Sequence, residues 1–305
     1  MKKPKGSIWF DGKFVDYDKA NVHVLTHSLQ YGSGIFEGIR SFRANGGSAL
    51  FRLDDHVKRF FNSAKICGMK LRVSRAGLSK AIMDTVRKNG LDDCYVRPFS
   101  FYNDSNIGLD VTGKKVSTIV AAVGMGPYFR GKSSGLRCKV SSWERISPSV
   151  LPTEAKASGN YVNSLLASME AKRSGFDEAI LPSEGGFVTE GAAENIFIVE
   201  DGNLVTPSKE ANILMGITRD TVIKIAKTIG IGVEEREVHR EELYTCDEAF
   251  FTGTAAGVVP IINIDSKKVG SGKAGGITES LMDEYDKTVH GNSANPIFRD
   301  WLTYL

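Results

Sequence analysis

The stretch Gly124-Met125-Gly126-Pro127-Tyr128-Phe129-Arg130-Gly131-Lys132-Ser133-Ser134-Gly135 breaks all hydrophobic periodicity and does most to limit how this chain can fold. Glycine, proline and small polar residues in such a run end any helix or strand entering it, so it reads as a connection between two compact parts. At 305 residues, with 41% hydrophobic and 25% charged residues, the chain has the length and composition of a two-domain globular protein. The expected division is a small domain over 1–123, a connection over 124–135 and a larger domain over 136–305.

The first part alternates strands and helices. Ser7–Phe10 and Lys13–Val15 flank Asp11-Gly12, a hairpin signal. Asp54 to Lys65 places Val57, Phe60, Phe61 and Ala64 on one helical face, with Asp54 and Asp55 in the first turn. Ser74 to Lys88 is a second amphipathic helix, and Cys94–Phe101 and Ser117–Val123 read as buried strands. Beyond Leu136, strands are expected at Arg137–Ser142, Glu178–Leu181, Asn195–Val199 and Ala249–Phe251, with a hairpin at Asp201-Gly202. A helix from Thr218 to about Thr228 is expected to put Val222, Ala226 and Ile229 on its buried face, with Gly230 after it as a C-cap.

Several function classes are set aside. A net charge of +3 with the signs mixed gives no basic surface for nucleic acid or membrane. The five histidines (His23, His27, His56, His239, His290) have no metal-ligand spacing, and Cys67, Cys94, Cys138 and Cys246 form no Cys-x-x-Cys. Reduced thiols point to a reducing compartment. No segment approaches the roughly 18 apolar residues of a membrane span. The basic start runs into Trp9-Phe10-Asp11-Gly12 rather than an apolar core, so no signal peptide is expected and a cytoplasmic location follows. Gly32-Ser33-Gly34 would need a further glycine where Glu37 stands to make a dinucleotide fingerprint, and Gly272-Lys273 lacks the rest of a phosphate loop.

Chemistry gathers around Lys156, in Thr153-Glu154-Ala155-Lys156-Ala157-Ser158-Gly159-Asn160-Tyr161. Taken alone it reads as one more solvated lysine. A lysine that forms a Schiff base needs room for a flat ring beside it, which small neighbours provide. The ring needs a carboxylate to keep its pyridine nitrogen protonated, and Glu190 is available. Tyr161 is placed to hydrogen-bond a phenolic oxygen. These needs together suggest pyridoxal 5′-phosphate (PLP). Leu214-Met215-Gly216-Ile217-Thr218-Arg219 opens a helix on a glycine, which suits a phosphate group, or is capped plainly by Thr218. Thr252-Gly253-Thr254-Ala255-Ala256-Gly257 is a second turn able to bring N–H groups to an anion, or an ordinary strand-ending turn.

Three blocks, Glu190-Gly191-Ala192-Ala193-Glu194-Asn195-Ile196-Phe197, Leu204-Val205-Thr206 and Leu214-Met215-Gly216-Ile217-Thr218-Arg219, together resemble the motif of the class IV (fold-type IV) PLP aminotransferases. Tyr31-Gly32-Ser33-Gly34-Ile35-Phe36-Glu37-Gly38-Ile39-Arg40, with Tyr95-Val96-Arg97-Pro98, is similar to the branched-chain amino-acid aminotransferases within that class. The resemblance runs from about Trp9 to Val269. It implies an α+β, two-domain fold-type IV enzyme, with a smaller N-terminal α/β domain and a larger C-terminal domain built on a β-barrel-like core with flanking helices.

The resemblance also implies roles. Lys156 is the catalytic lysine, linked to the cofactor and carrying a proton between Cα and C4′. Glu190 pairs with the pyridine nitrogen and Tyr161 with the phenolic oxygen. Arg59, the N–H groups of Ile217 and Thr218, and the Thr254 hydroxyl hold the phosphate. Tyr95 and the N–H groups of Thr254 and Ala255 receive the substrate carboxylate, and Phe36, Tyr128 and Tyr161 line an apolar pocket. Arg97, expected to be buried, is the candidate partner for the side-chain carboxylate of glutamate. Tyr31 and Leu109 are expected to reach into a neighbouring subunit, which implies a homodimer or larger homo-oligomer with small amino acids and 2-oxo acids as its other partners. The implied reaction is ping-pong transfer between Leu, Ile or Val and 2-oxoglutarate. A D-amino-acid or (R)-amine transaminase, an aminodeoxychorismate lyase, or a non-catalytic PLP carrier are the alternatives. Met125 stands where bacterial relatives carry tryptophan, which leaves pocket shape open.

Overall fold

The structure is a computed structural model and describes residues 6–126, 128–129 and 134–305. The basic start, Pro127 and 130–133 of the expected connection lie outside the described residues. The chain forms two compact units, but not by a single cut. The first takes Met1–Gly126, Ala155–Gly159 and Val289–Leu305; the second takes Pro127–Glu154 and Asn160–Thr288.

In the first unit, β1 (Ser7–Phe10) and β2 (Lys13–Asp16) meet at Asp11-Gly12, where both φ angles are positive (46° and 95°). That is the hairpin turn whose twist matches its strands, and aspartate and glycine tolerate it. Then come α1 (His27–Tyr31), β3 (Gly34–Phe36), β4 (Ile39–Ala44), β5 (Gly47–Phe51), α2 (Leu53–Ile66), α3 (Arg75–Lys88), β6 (Cys94–Tyr102) and β7 (Val116–Gly124). Ser74 caps α3, its hydroxyl accepting the Gly77 N–H. Val57, Phe60 and Ala64 of α2 and Leu78, Ile82 and Val86 of α3 are buried in one core with Val96 of β6 and Val120 of β7.

In the second unit, β8 (Leu136–Val140), α4 (Tyr161–Arg173), β9 (Glu178–Pro182), β10 (Val188–Gly191), β11 (Asn195–Glu200), β12 (Asn203–Pro207), α5 (Ile217–Thr228), β13 (Val233–Arg236), α6 (Glu242–Thr245), β14 (Glu248–Gly253), β15 (Gly257–Ile264) and β16 (Lys267–Lys268) follow in order. Then α7 (Gly276–Val289) leads back to the first unit and β17 (Leu302–Tyr304). The first unit's sheet runs β17-β5-β4-β6-β7-β1-β2, with β3 also on β6.

Strands of the second unit run β10-β9-β8-β15-β14-β11, and a further pairing of β10 with β11 closes these six into a barrel. Closure removes the two open edges a sheet would otherwise present. Alternate residues fill the core: Leu136, Cys138 and Val140 of β8, Ile196 and Ile198 of β11, Ala249 and Phe251 of β14. Strands β12 and β13 extend the sheet beyond β11, paired parallel to each other. The fold is α+β with a barrel-cored larger unit. Among the described residues no helix is long and apolar enough to cross a membrane.

Candidate active site

Lys156 lies in Ala155–Gly159, the short segment that groups with the first unit. Backbone contacts explain that grouping. The Phe36 N–H donates to the Lys156 carbonyl at 3.0 Å, and the Gly159 N–H to the Gly32 carbonyl at 3.1 Å. The Lys156 N–H in turn donates to the Ser63 hydroxyl of α2 at 3.0 Å, and Ser63 is fully buried. Lys156 Nζ sits 5.0 Å from the centre of the Phe36 ring. The main chain of the lysine is therefore pinned on both sides.

On α2, one turn before Ser63, Arg59 and His56 converge on Glu37. Arg59 donates from Nε to Glu37 Oε1 at 2.6 Å and from Nη2 to Oε2 at 2.9 Å, and His56 Nδ1 lies 2.8 Å from Oε2. Glu37 and His56 are buried, and the Arg59 side chain is only 14% exposed. Burial pushes the Glu37 carboxyl up, but the Arg59 guanidinium and then His56 outweigh it and hold the group well below the usual carboxylate range. Burial pushes His56 down, against the pull of Glu37, with Arg59 and Lys156 adding to the downward shift.

On β6, Tyr95 and Arg97 share the face opposite to buried Cys94 and Val96. The expectation of a buried Arg97 is corrected here: the strand's alternation turns it to the exposed side. There Nη2 donates to the Tyr95 hydroxyl at 3.0 Å, and the guanidinium lies 4.7 Å from the centre of the Phe36 ring. Gly38 makes room for Tyr95, since a Cβ at that position would overlap the tyrosine hydroxyl. Tyr31 is 39% and Leu109 75% exposed, and the Gly108 N–H donates to the Tyr31 hydroxyl at 3.3 Å.

The second unit carries a separate constellation. Glu190, on barrel strand β10, is buried among polar partners. Arg145 Nε lies 2.6 Å from Oε1, while Asn195 Nδ2 and the Leu214 N–H donate to Oε2 at 3.2 and 3.1 Å. Asn195 also donates to the Leu214 carbonyl at 2.9 Å, tying β11 to the approach of α5. The residue that caps α5 is Gly216, not Thr218, so the cap itself offers no side-chain hydrogen bond to the first turn. The N–H groups of Ile217 and Thr218 thus lie where a helix has no partners of its own. A Cβ at position 216 would overlap Asn195 Oδ1, so only glycine fits there. Thr254 and Ala255 sit in the turn between β14 and β15, closed by the Gly253–Gly257 pair. Tyr161 opens α4, and Tyr128 packs edge-on against Phe129 with ring centres 4.8 Å apart.

Residues 34–264 match the model of the amino-transferase class IV family. The chain belongs to that family. It is similar along its whole length to the branched-chain-amino-acid aminotransferase of Pseudomonas aeruginosa: 42% identity, with 100% of this chain and 99% of the relative covered. The branched-chain aminotransferase of the archaeon Thermoproteus uzoniensis, solved with norvaline, superposes with a TM-score of 0.93 at 44% identity, covering 98% of this chain and 99% of that one. The branched-chain amino acid aminotransferase of Thermobaculum terrenum, solved in its PLP form, gives 0.91 at 35% identity, with 98% of each chain covered.

The sequence singled out Lys156, Glu190 and the start of α5, but gave no role to four residues that contact the groups named there. Arg145 and Asn195 hold Glu190; Glu37 and His56 hold Arg59. Of these, His56 had a visible signal, as a polar residue among the apolar positions of an amphipathic helix. Arg145 lies outside any helix or strand and had none.

Proposed function

We propose that this chain catalyses PLP-dependent, ping-pong transfer of amino groups between branched-chain L-amino acids and 2-oxoglutarate. The observation that carries the proposal is the buried Glu190 carboxylate, fixed by Arg145, Asn195 and the Leu214 N–H in the unit that also presents the glycine-capped start of α5. A buried, oriented carboxylate suits a protonated pyridine nitrogen. A helix start without a side-chain cap and with the macrodipole behind it suits a phosphate. PLP fits this donor set.

Bound PLP supplies a ring that accepts electrons from the substrate's Cα. Lys156 removes the Cα proton and returns it at C4′, its main chain held by Ser63 and Phe36 so that only the side chain moves. Glu190 keeps the ring nitrogen protonated, and Tyr161 donates to the phenolic oxygen. The phosphate is gripped by Arg59, the N–H groups of Ile217 and Thr218, and the Thr254 hydroxyl. Tyr95 and the N–H groups of Thr254 and Ala255 receive the α-carboxylate, while Phe36, Tyr128 and Tyr161 give the apolar wall. Arg97 pairs with the γ-carboxylate of glutamate. Tyr31 and Leu109, both exposed, are contributed to the site of a second copy, so the working form is at least a homodimer. A cytoplasmic enzyme is in keeping with the four free cysteines.

A coupled assay for glutamate formed from 2-oxoglutarate, run across L- and D-amino acids, tests the proposal. L-Leucine, L-isoleucine and L-valine should be the best donors. Activity confined to D-amino acids or to simple amines would replace it with another member of the fold type.

A further inference from the structure

Glu37 is fully buried, and none of the steps above uses it. Both carboxylate oxygens are occupied: Oε1 by Arg59 Nε, and Oε2 by Arg59 Nη2, His56 Nδ1 and the Gly38 N–H at 3.2 Å. Apart from Ser63, the rest of the buried α2 face is apolar, with Val57, Phe60 and Ala64 in the core. A charged cluster set into such a face is costly, and stability alone is served at least as well by hydrophobic residues. The arrangement is also directional. Glu37 takes the Nε–Nη2 edge of the guanidinium in a planar, two-bond fork, which leaves the Nη1 edge turned away from it.

We propose that Glu37 is a positioning residue for the cofactor phosphate: by locking Arg59 in the fork, it fixes the guanidinium edge that grips the phosphate. This rests on Arg59 being a phosphate ligand. A flexible arginine loses rotamer freedom when it closes on an anion, whereas one fixed beforehand does not. His56 serves the same end. Burial keeps it neutral, so it contributes an N–H that orients the carboxylate rather than a competing charge. The ion pair with Glu37 also offsets part of the positive charge of Arg59, so fixing the fork and keeping full charge act in opposite directions on phosphate affinity.

The experiment titrates full-length protein, stripped of cofactor, with PLP and separately with pyridoxal, which lacks the phosphate. Wild type is compared with Glu37→Gln, Arg59→Lys and Arg59→Gln. Glu37→Gln should weaken PLP by about ten- to a hundredfold, the scale of one charge-assisted hydrogen bond, and leave pyridoxal unchanged. Arg59→Lys keeps the charge but cannot form the fork, and should lose PLP affinity to a similar degree. Adding Glu37→Gln to it should cost little more, because the two act as one unit. The rise in melting temperature on adding PLP should shrink in parallel.

Unchanged or tighter PLP binding in Glu37→Gln overturns the inference, as do equal losses for PLP and pyridoxal, which mark a general structural role. If Glu37→Gln does not fold, unchanged PLP affinity in Arg59→Lys overturns it instead. If Arg59→Gln itself leaves PLP affinity intact, the assignment of Arg59 to the phosphate fails, and the inference fails with it.

Discussion

Arg145 and Glu190 meet at 2.6 Å between Nε and Oε1, with their side chains only 7% and 10% exposed. Removing one member of such a pair leaves the other charge buried without its partner. Arg145→Met should therefore destabilise the protein by about 3–5 kcal/mol. Arg145→Met with Glu190→Gln should be less harmful than the first change alone. Chemical denaturation of these two variants and of Glu190→Gln alone measures this, and simple additivity would show that the pair is not coupled.

Lys156→Ala should keep the fold and lose turnover, since the covalent link and the proton carrier go together. Its main-chain contacts to Ser63 and Phe36 do not depend on the side chain. More than a trace of transamination in this variant would mean that the lysine is misassigned.

Arg97→Met should weaken glutamate and 2-oxoglutarate selectively, by several kcal/mol at most, with leucine much less affected. Half-reaction kcat/KM values, followed separately by cofactor absorbance, measure it. Because Arg97 is exposed and donates to the Tyr95 hydroxyl, the substitution should cost little stability. Equal losses for both substrates would assign Arg97 to the shared α-carboxylate.

Stability should fall in acid in two overlapping stages. His56 is pushed below its ordinary value of 6.5 by burial, and Glu37 below 4.5 because Arg59 outweighs the effect of burial. In both cases the unfolded chain takes up the proton first. The stabilisation is thus complete above the unfolded value and is lost as pH falls toward the folded one. The melting temperature should begin to drop below about pH 6.5 and drop further below about 4.5. His56→Asn should flatten the upper stage; a slope there identical to wild type would exclude His56 as its source.

Local chemistry decided what could be seen in the sequence. Helices α2 and α3 have clean apolar stripes, and Asp11-Gly12 and Asp201-Gly202 adopt the positive φ angles that mark hairpins. Helix α4 buries only Ala167 and Ala171 fully and leaves Val162 and Leu165 exposed, so no stripe announces it. The grouping of Ala155–Gly159 and β17 with the first unit is made of backbone pairing between distant residues, such as Leu302 with Phe51, which no local pattern encodes. Arg97 was misjudged because a strand was read as buried on both faces, when β6 near Arg97 alternates. At the site, residues with chemistry of their own were legible, and those that hold them, Arg145 and Glu37, were not.

The most direct test is the absorbance spectrum of the holoenzyme as substrates are added one at a time. L-Leucine alone should bleach the cofactor's visible band, and 2-oxoglutarate, added after excess leucine and its oxo acid are removed, should restore it, as a ping-pong exchange requires. A band that does not respond to L-leucine, or that changes only when both substrates are present together, would contradict the account.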